Sequence, residues 1–323
     1  MSKKKTNSQA TAAPAVTGKV YDFCSKKKMI LTIAICVVLA LVAGIIIRGV
    51  HLAIEFKGGT LITYTYDGDI DTNAVESTLK SVIDTSVTIR TGESVDSGNK
   101  ELTIAFISNE GLTADRQFEL TSALQTAFPD NNLELSDSND VNPSTGREFL
   151  LKCLVAIIFA AIVIIIYIAI RFRKIGGWSA GVCSVFALCH DLVVAVAASI
   201  LFGYEFNSNI VAVVLTILGY SINNTIVIYD RIRENRSIMP KASLNELINT
   251  GCTQSLTRSI RTSVTTIGTM LIVTIVVWVS GYNSLLSFSV PLVFGLLSGT
   301  YSSLFVAPVT WSWWKNREKA SAK

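Results

Sequence analysis

The sequence predicts a polytopic α-helical membrane protein of six transmembrane helices, with an α+β domain inserted between the first and the second. Three observations predict it. Half of the 323 residues are hydrophobic and only 16% are charged, a balance typical of membrane chains. Six apolar runs, at 29–47, 149–170, 178–202, 210–228, 262–280 and 288–311, interrupt the polar sequence. Each has the roughly 19 to 25 residues that cross about 30 Å of hydrocarbon at 1.5 Å per residue. One long polar segment, 51–147, separates the first run from the second.

Taken in order, the chain opens with a basic arm, 1–28, rich in Lys, Ala, Ser and Thr. Such a composition predicts disorder. The arm either contacts anionic membrane lipid or serves only as an orientation signal, since Lys26, Lys27 and Lys28 abut the first helix. That helix, 29–50, is too long for a signal-peptide core and lacks a small-residue cleavage site, so it reads as an uncleaved anchor. Charge then sets the orientation. Arg171, Arg173 and Lys174 follow the second run, and Arg231, Arg233, Arg236, Lys241, Arg258 and Arg261 lie between the fourth and fifth. Lys315, Arg317, Lys319 and Lys323 close the chain, whereas loops 203–208 and 281–287 have no Lys or Arg. Positive loops stay in the cytoplasm, which puts both termini there and the 51–147 domain outside. Helices 2–6 then occupy 148–314, with a cytoplasmic loop at 231–258 and a cytoplasmic tail at 315–323. The net charge of +4 is the sum of basic loops and an acidic outer domain and gives no sign of nucleic acid binding.

The inserted segment begins HLAIEFKGGT, in which Gly58 and Gly59 permit a sharp turn or close packing. No Walker-type spacing accompanies them, so they do not cradle phosphate. Residues 60–66 alternate as a strand. Val75, Leu79, Val82 and Ile83 share one helical face over 71–83. Strands follow at 86–91 and 101–107 around a Gly-containing turn, 92–98. A helix covers 112–128, and a last strand opens at 133–135. The order β-α-β-β-α-β predicts a ferredoxin-like fold. Its carboxylates are scattered, which suits a binding module better than an enzyme.

Polar residues inside the membrane runs mark the candidate site, because each is costly in hydrocarbon without a partner. The third run carries His190 and Asp191, and Asp191 is the only acidic residue deep in any run. It either carries an ion or makes a structural contact with Asn223, Asn224 or a neighbouring hydroxyl. The fourth run is apolar from 210 to 218 but for Thr216, then turns polar at Tyr220, Ser221, Asn223, Asn224 and Thr225. That belt faces other helices or a wet cavity. Ser243 and Glu246 form a capping-box pattern, predicting a short helix on the membrane surface. The fifth run is rich in hydroxyls from Thr262 to Thr269, with Arg258 and Arg261 at its mouth. Small residues Gly295, Ser298 and Gly299 suit a tight helix neighbour. Trp311, Trp313 and Trp314 read as interface anchors.

The six cysteines, at 24, 36, 153, 183, 189 and 252, contain no C-x-x-C pair. Neither a disulfide framework nor a metal site is indicated, and no cofactor is expected.

The wording of 216–235, TILGYSINNTIVIYDRIREN, closely resembles the signature of the SecF branch of the SecD/SecF protein-export family, within the resistance-nodulation-division superfamily of proton-driven transporters. HLAIEFKGGT resembles the family's opening motif with Ala53 and Glu55 in place of Gly and Asp. VNPSTGREFL resembles its lead into the second helix, and ALCHDL its third-helix motif. The resemblance covers about 50–311. It implies a SecF-type subunit of the bacterial Sec translocase in the cell membrane. That subunit works with SecD and the SecYEG translocon to pull exported polypeptide with the proton motive force, and it is no enzyme. The family usually has Asp where this chain has Asn224, and gapless spacing aligns Arg258 with the Arg that pairs with that Asp. An amide cannot titrate, so coupling falls to Asp191 or to SecD. A sodium site of Asn, Ser and Thr oxygens with Asp191 is a further option. Two other readings follow: a structural partner of SecD without its own coupling, and a small-solute or lipid exporter of the superfamily. A lone six-helix half with a small outer domain argues against the exporter.

Overall fold

In hydrocarbon a backbone is satisfied within a helix, and the apolar runs fold accordingly. The computed structural model describes residues 19–82, 87–93, 98–106 and 112–321. Most of the basic arm, most of the turn 92–98 and the predicted element ends at 83, 86 and 107 lie outside the described residues. The first span is α1 (Lys27–Arg48). A one-turn helix, α2 (Ile54–Lys57), opens the inserted domain, which continues as β1 (Gly59–Tyr66), α3 (Thr72–Val82), β2 (Val87–Glu93), β3 (Lys100–Phe106), α4 (Ala114–Ala127) and β4 (Glu134–Val141). The remaining helices are α5 (Pro143–Arg171), α6 (Gly177–Leu201), α7 (Ser208–Ile238), α8 (Leu244–Val279), α9 (Asn283–Tyr301) and α10 (Ala307–Ser321). A π-helical turn, Ser302–Val306, joins α9 to α10. Among the described residues six helical stretches are long and apolar enough to cross a membrane, the last running through this turn from Leu285 to Glu318.

The inserted sheet is antiparallel throughout, with strand order β2-β3-β1-β4. Period-two alternation sends Ile62, Tyr64, Leu102 and Ile104 to one face, where they pack on Val75 and Leu79 of α3 and on Leu120 and Leu124 of α4. The opposite face, with Leu61, Thr63, Thr103 and Ala105, lines a cavity of about 750 Å³ shared with Tyr204, Glu205 and Ser287. An ion pair between Arg90 and Glu205, at 3.0 Å, spans it.

The domain is tied to the helices at its base. Gly58 has φ +85, and a Cβ there would lie 2.5 Å from the Cα of Pro143. Phe56 stacks on Phe149 of α5 with ring centroids 5.6 Å apart. The Ser208 amide at the start of α7 donates to Glu55 Oε2 at 2.7 Å, so a carboxylate sits at the positive end of that helix.

Several expectations are corrected. The second helix, expected from 148, starts earlier: Pro143 begins α5, capped by the Asn142 side chain on the Ser144 amide. Proline fits a first helical position because its missing N–H has no partner there anyway. The loop predicted at 231–258 shrinks to residues 239–243, since α7 runs to Ile238. The capping box at Ser243 and Glu246 forms, but it starts α8 rather than a short surface helix. No proline interrupts 244–279, and Leu247, Ile248 and Cys252 are buried with Ile228 and Ile232 of α7. The last part of the basic arm is ordered. The amides of Phe23 and Cys24 donate to Asn249 Oδ1 at 3.0 and 3.1 Å, and the Asn249 amide group donates to Asp22 at 2.8 Å. Trp311 is no interface anchor: it is fully buried, and its indole N–H donates to Ser179 Oγ at 3.1 Å.

Candidate functional site

Three helices converge on Asp191. The α6 segment Ala187–Leu188 is buried against its neighbours, which sets Asp191 inward at 0% exposure. Helix α7 brings Ser221, whose hydroxyl donates to Asp191 Oδ2 at 2.7 Å. Helix α9 brings Ser298, donating to Oδ1 at 2.6 Å. The π-helical turn brings Ser302, donating to Oδ2 at 2.6 Å. Such turns recur where function requires a local departure from the α-helix. Gly299 makes the approach possible, since its Cβ position lies 3.3 Å from Ser221 Cβ and 3.6 Å from Asp191 Oδ2. Gly295 packs on Ile217 and Ala195. The tight helix neighbours expected of the small-residue face of α9 are therefore α6 and α7 of this chain.

His190 completes the cluster. Its Nδ1 lies 3.3 Å from Asp191 Oδ1 and 3.2 Å from Ser298 Oγ. Its Nε2 is buried without a hydrogen-bond partner. A second hydroxyl group forms beside the cluster, from Tyr220, next to Ser221 on α7, and Thr300, between Ser298 and Ser302. Tyr220 donates to Ser263 Oγ of α8 at 2.8 Å, and Thr300 Oγ1 lies 2.9 Å from the same oxygen.

The other predicted residues fall elsewhere. Thr225 bonds its own helix at the Ser221 carbonyl, 3.0 Å away. Asn223 is exposed. Asn224 is buried, with its Nδ2 unpartnered. Arg258 is exposed and has no hydrogen bond or ion pair among the described residues, so the expected reach toward Asn224 is not made. Gly58 and Gly59 belong to the base of the inserted domain, not to this site. Sequence reasoning missed Ser302 and took Ser298 for packing. Their spacing puts the two hydroxyls on one helical face, but it does not say which helix that face meets. Among the described residues no group of three or more His, Cys, Asp or Glu gathers as metal ligands.

The fold and site define a class: a polytopic α-helical membrane protein with a small α+β domain after its first span and a fully buried, hydroxyl-caged carboxylate. The family description "Protein export membrane protein SecD/SecF, C-terminal" matches residues 120–317, and "SecD/SecF GG Motif" matches 43–70. The protein translocase subunit SecF of Petrotoga mobilis is 31% identical over 302 residues, covering 92% of this chain and 97% of that one. The SecF of Alicyclobacillus acidocaldarius is 33% identical over 291 residues, covering 87% and 89%. The SecDF of Bacillus subtilis is 32% identical, with 92% of this chain spanning 38% of its length. The crystal structure of the translocon-associated SecDF of Thermus thermophilus aligns with a TM-score of 0.77 at 26% identity, covering 94% of this chain. This chain spans 40% of that one. The chain belongs to the SecD/SecF family of protein-export membrane proteins.

Proposed function

We propose that this chain is the SecF subunit of a bacterial Sec translocase, working beside SecD and the SecYEG channel to drive polypeptide export with an ion gradient. The observation that carries the coupling is the Asp191 cluster. A carboxylate at 0% exposure held by hydroxyls from α7, α9 and the π-helical turn is costly in hydrocarbon and functional by default. A change of charge there acts on three helices together. One of them, α7, is capped at its far end by Glu55 of the inserted domain. That contact offers a mechanical link from the membrane site to the domain that meets the exported polypeptide. The strand order β2-β3-β1-β4 supports reading this domain as ferredoxin-like, and the Lys and Arg distribution supports its position outside with both termini in the cytoplasm.

SecD is the proposed partner, since the Bacillus relative carries both halves in one chain. The role is transport and not catalysis. A second reading, a structural subunit whose coupling rests with SecD, is favoured by buried Asn224 in place of a carboxylate and by the unpaired Arg258.

Affinity purification from the native membrane in mild detergent tests the assignment. It should recover a second chain of SecD type. Recovery of this chain alone as a homo-oligomer that exports a small solute would overturn it. For orientation, a cysteine at Ala127 should react with an impermeant maleimide in intact cells and one at Ser237 should not.

A further inference from the structure

The hydrogen bonds around Asp191 leave one position open. Ser221 and Ser302 donate to Oδ2 and Ser298 to Oδ1. Each hydroxyl has a single hydrogen, so a proton placed on Asp191 would displace one of these donors. His190 differs. The residue is 8% exposed, and its Nε2 is buried with no partner. On the other side of the ring, Nδ1 faces Asp191 Oδ1 and Ser298 Oγ. Ser298 gives its hydrogen to Asp191, so its oxygen can only accept from the ring. The tautomer that fits carries hydrogen on Nδ1 and an open lone pair on Nε2.

We propose that His190 Nε2 is the atom that takes up the coupling proton, with Asp191 as its fixed carboxylate counter-charge. This rests on the reading of the Asp191 cluster as the coupling site. Loading turns the imidazole into an imidazolium beside the carboxylate, and the pair is neutral. A single charge of either sign would be far costlier in hydrocarbon. Among the described residues no other charged side chain pairs with His190 or Asp191. From α9 the ring meets Ser298 and Tyr301, whose ring centroid is 6.2 Å away and whose hydroxyl donates to the Ile30 carbonyl of α1. The nearby part of α1 is apolar around Leu31 and Ala34. Helix α7 reaches the pair through Ser221 on Asp191 Oδ2, and α6 itself contributes Asp191. Once protonated, Nε2 becomes a buried donor without an acceptor. Relief requires the ring to move against Tyr301 and the adjoining π-helical turn, which carries Ser302. Proton uptake is thereby converted into a shift of α9 against α6 and α7.

The chain has two histidines, His51 and His190, so a His51→Gln variant leaves one imidazole to observe. In lipid nanodiscs with 15N-histidine, the ring shifts should report an Nδ1–H tautomer at high pH. The imidazolium should appear on acidification, and Asp191→Asn should suppress it. In proteoliposomes with SecYEG and SecD, His190→Gln should lose gradient-stimulated export while still co-purifying with SecD. A ring that stays neutral on acidification overturns the proposal, as does His190→Gln with full stimulation and an unchanged pH profile. Stimulation by a sodium gradient at constant pH also overturns it. If the ring titrates but wild type shows no stimulation, the failure lies in the underlying coupling reading, and the proton has no coupling role.

Discussion

Removing one hydroxyl from the Asp191 cage should expose how the cage is held. Ser302 is fully buried and donates at 2.6 Å to Asp191 Oδ2. Hydrogen bonds between membrane helices average about 0.6 kcal/mol in double-mutant cycles, but bonds to charged groups reach about 1.5–3 kcal/mol. The carboxylate decides for the larger range, so Ser302→Ala should cost about 1.5–3 kcal/mol. In scanning fluorimetry of detergent-solubilised protein this is a fall of several degrees in Tm, at about 2–4 °C per kcal/mol for a chain of this size class. The discriminating measurement is the cycle with Asp191→Asn. An amide has only one acceptor oxygen, so Ser302→Ala should cost at least about 1 kcal/mol less in that background. Costs that add to within about 0.5 kcal/mol would show the two residues to be independent, and the cage reasoning would fail.

Three further outcomes follow from the contacts. Glu55→Ala should destabilise the start of α7 by about 1–2 kcal/mol, from a lost cap and a lost charge at the helix N-terminus; unchanged hydrogen exchange at Ser208 and Asn209 would contradict this. Burial pushes the Cys24 thiol up, so alkylation at neutral pH should be slow and should accelerate about tenfold or more in Asn249→Ala; rapid reaction in the intact protein would show that the arm is not docked. The Nδ2 of Asn224 is buried without a partner, a cost of about 1–3 kcal/mol, so Asn224→Leu should raise the Tm of the isolated chain; a fall would mean that the amide is bonded after all.

The six spans were legible because length and apolarity alone determine them. Strands and helices of the inserted domain were legible because their alternation has a period of two or near four. Asp191 stood out by its charge in an apolar run. Its partners did not. Ser298 and Ser302 are ordinary membrane residues until folding brings α9 against α6, and the π-helical turn that brings Ser302 in leaves no mark in the sequence. Arg258 misled for the same reason: helical spacing fixes its level along α8, but not which face of α8 turns toward Asn224. The length of α8 was hidden because charged Arg258 and Arg261 look like the end of a loop, whereas nothing in that stretch breaks a helix. Trp311 looked like an interface anchor because its aromatic neighbours Trp313 and Trp314 are half-exposed, while its own ring packs on Tyr229 at 5.3 Å.

The most direct test of the central claim is export of a reporter into proteoliposomes containing SecYEG, SecD and this chain, with and without a protonophore. Wild type and Asp191→Asn would be compared at equal incorporation and equal co-purification of SecD. The account predicts protonophore-sensitive stimulation by wild type and none by Asp191→Asn. Equal, protonophore-sensitive stimulation by both would make Asp191 a structural contact and leave coupling to SecD.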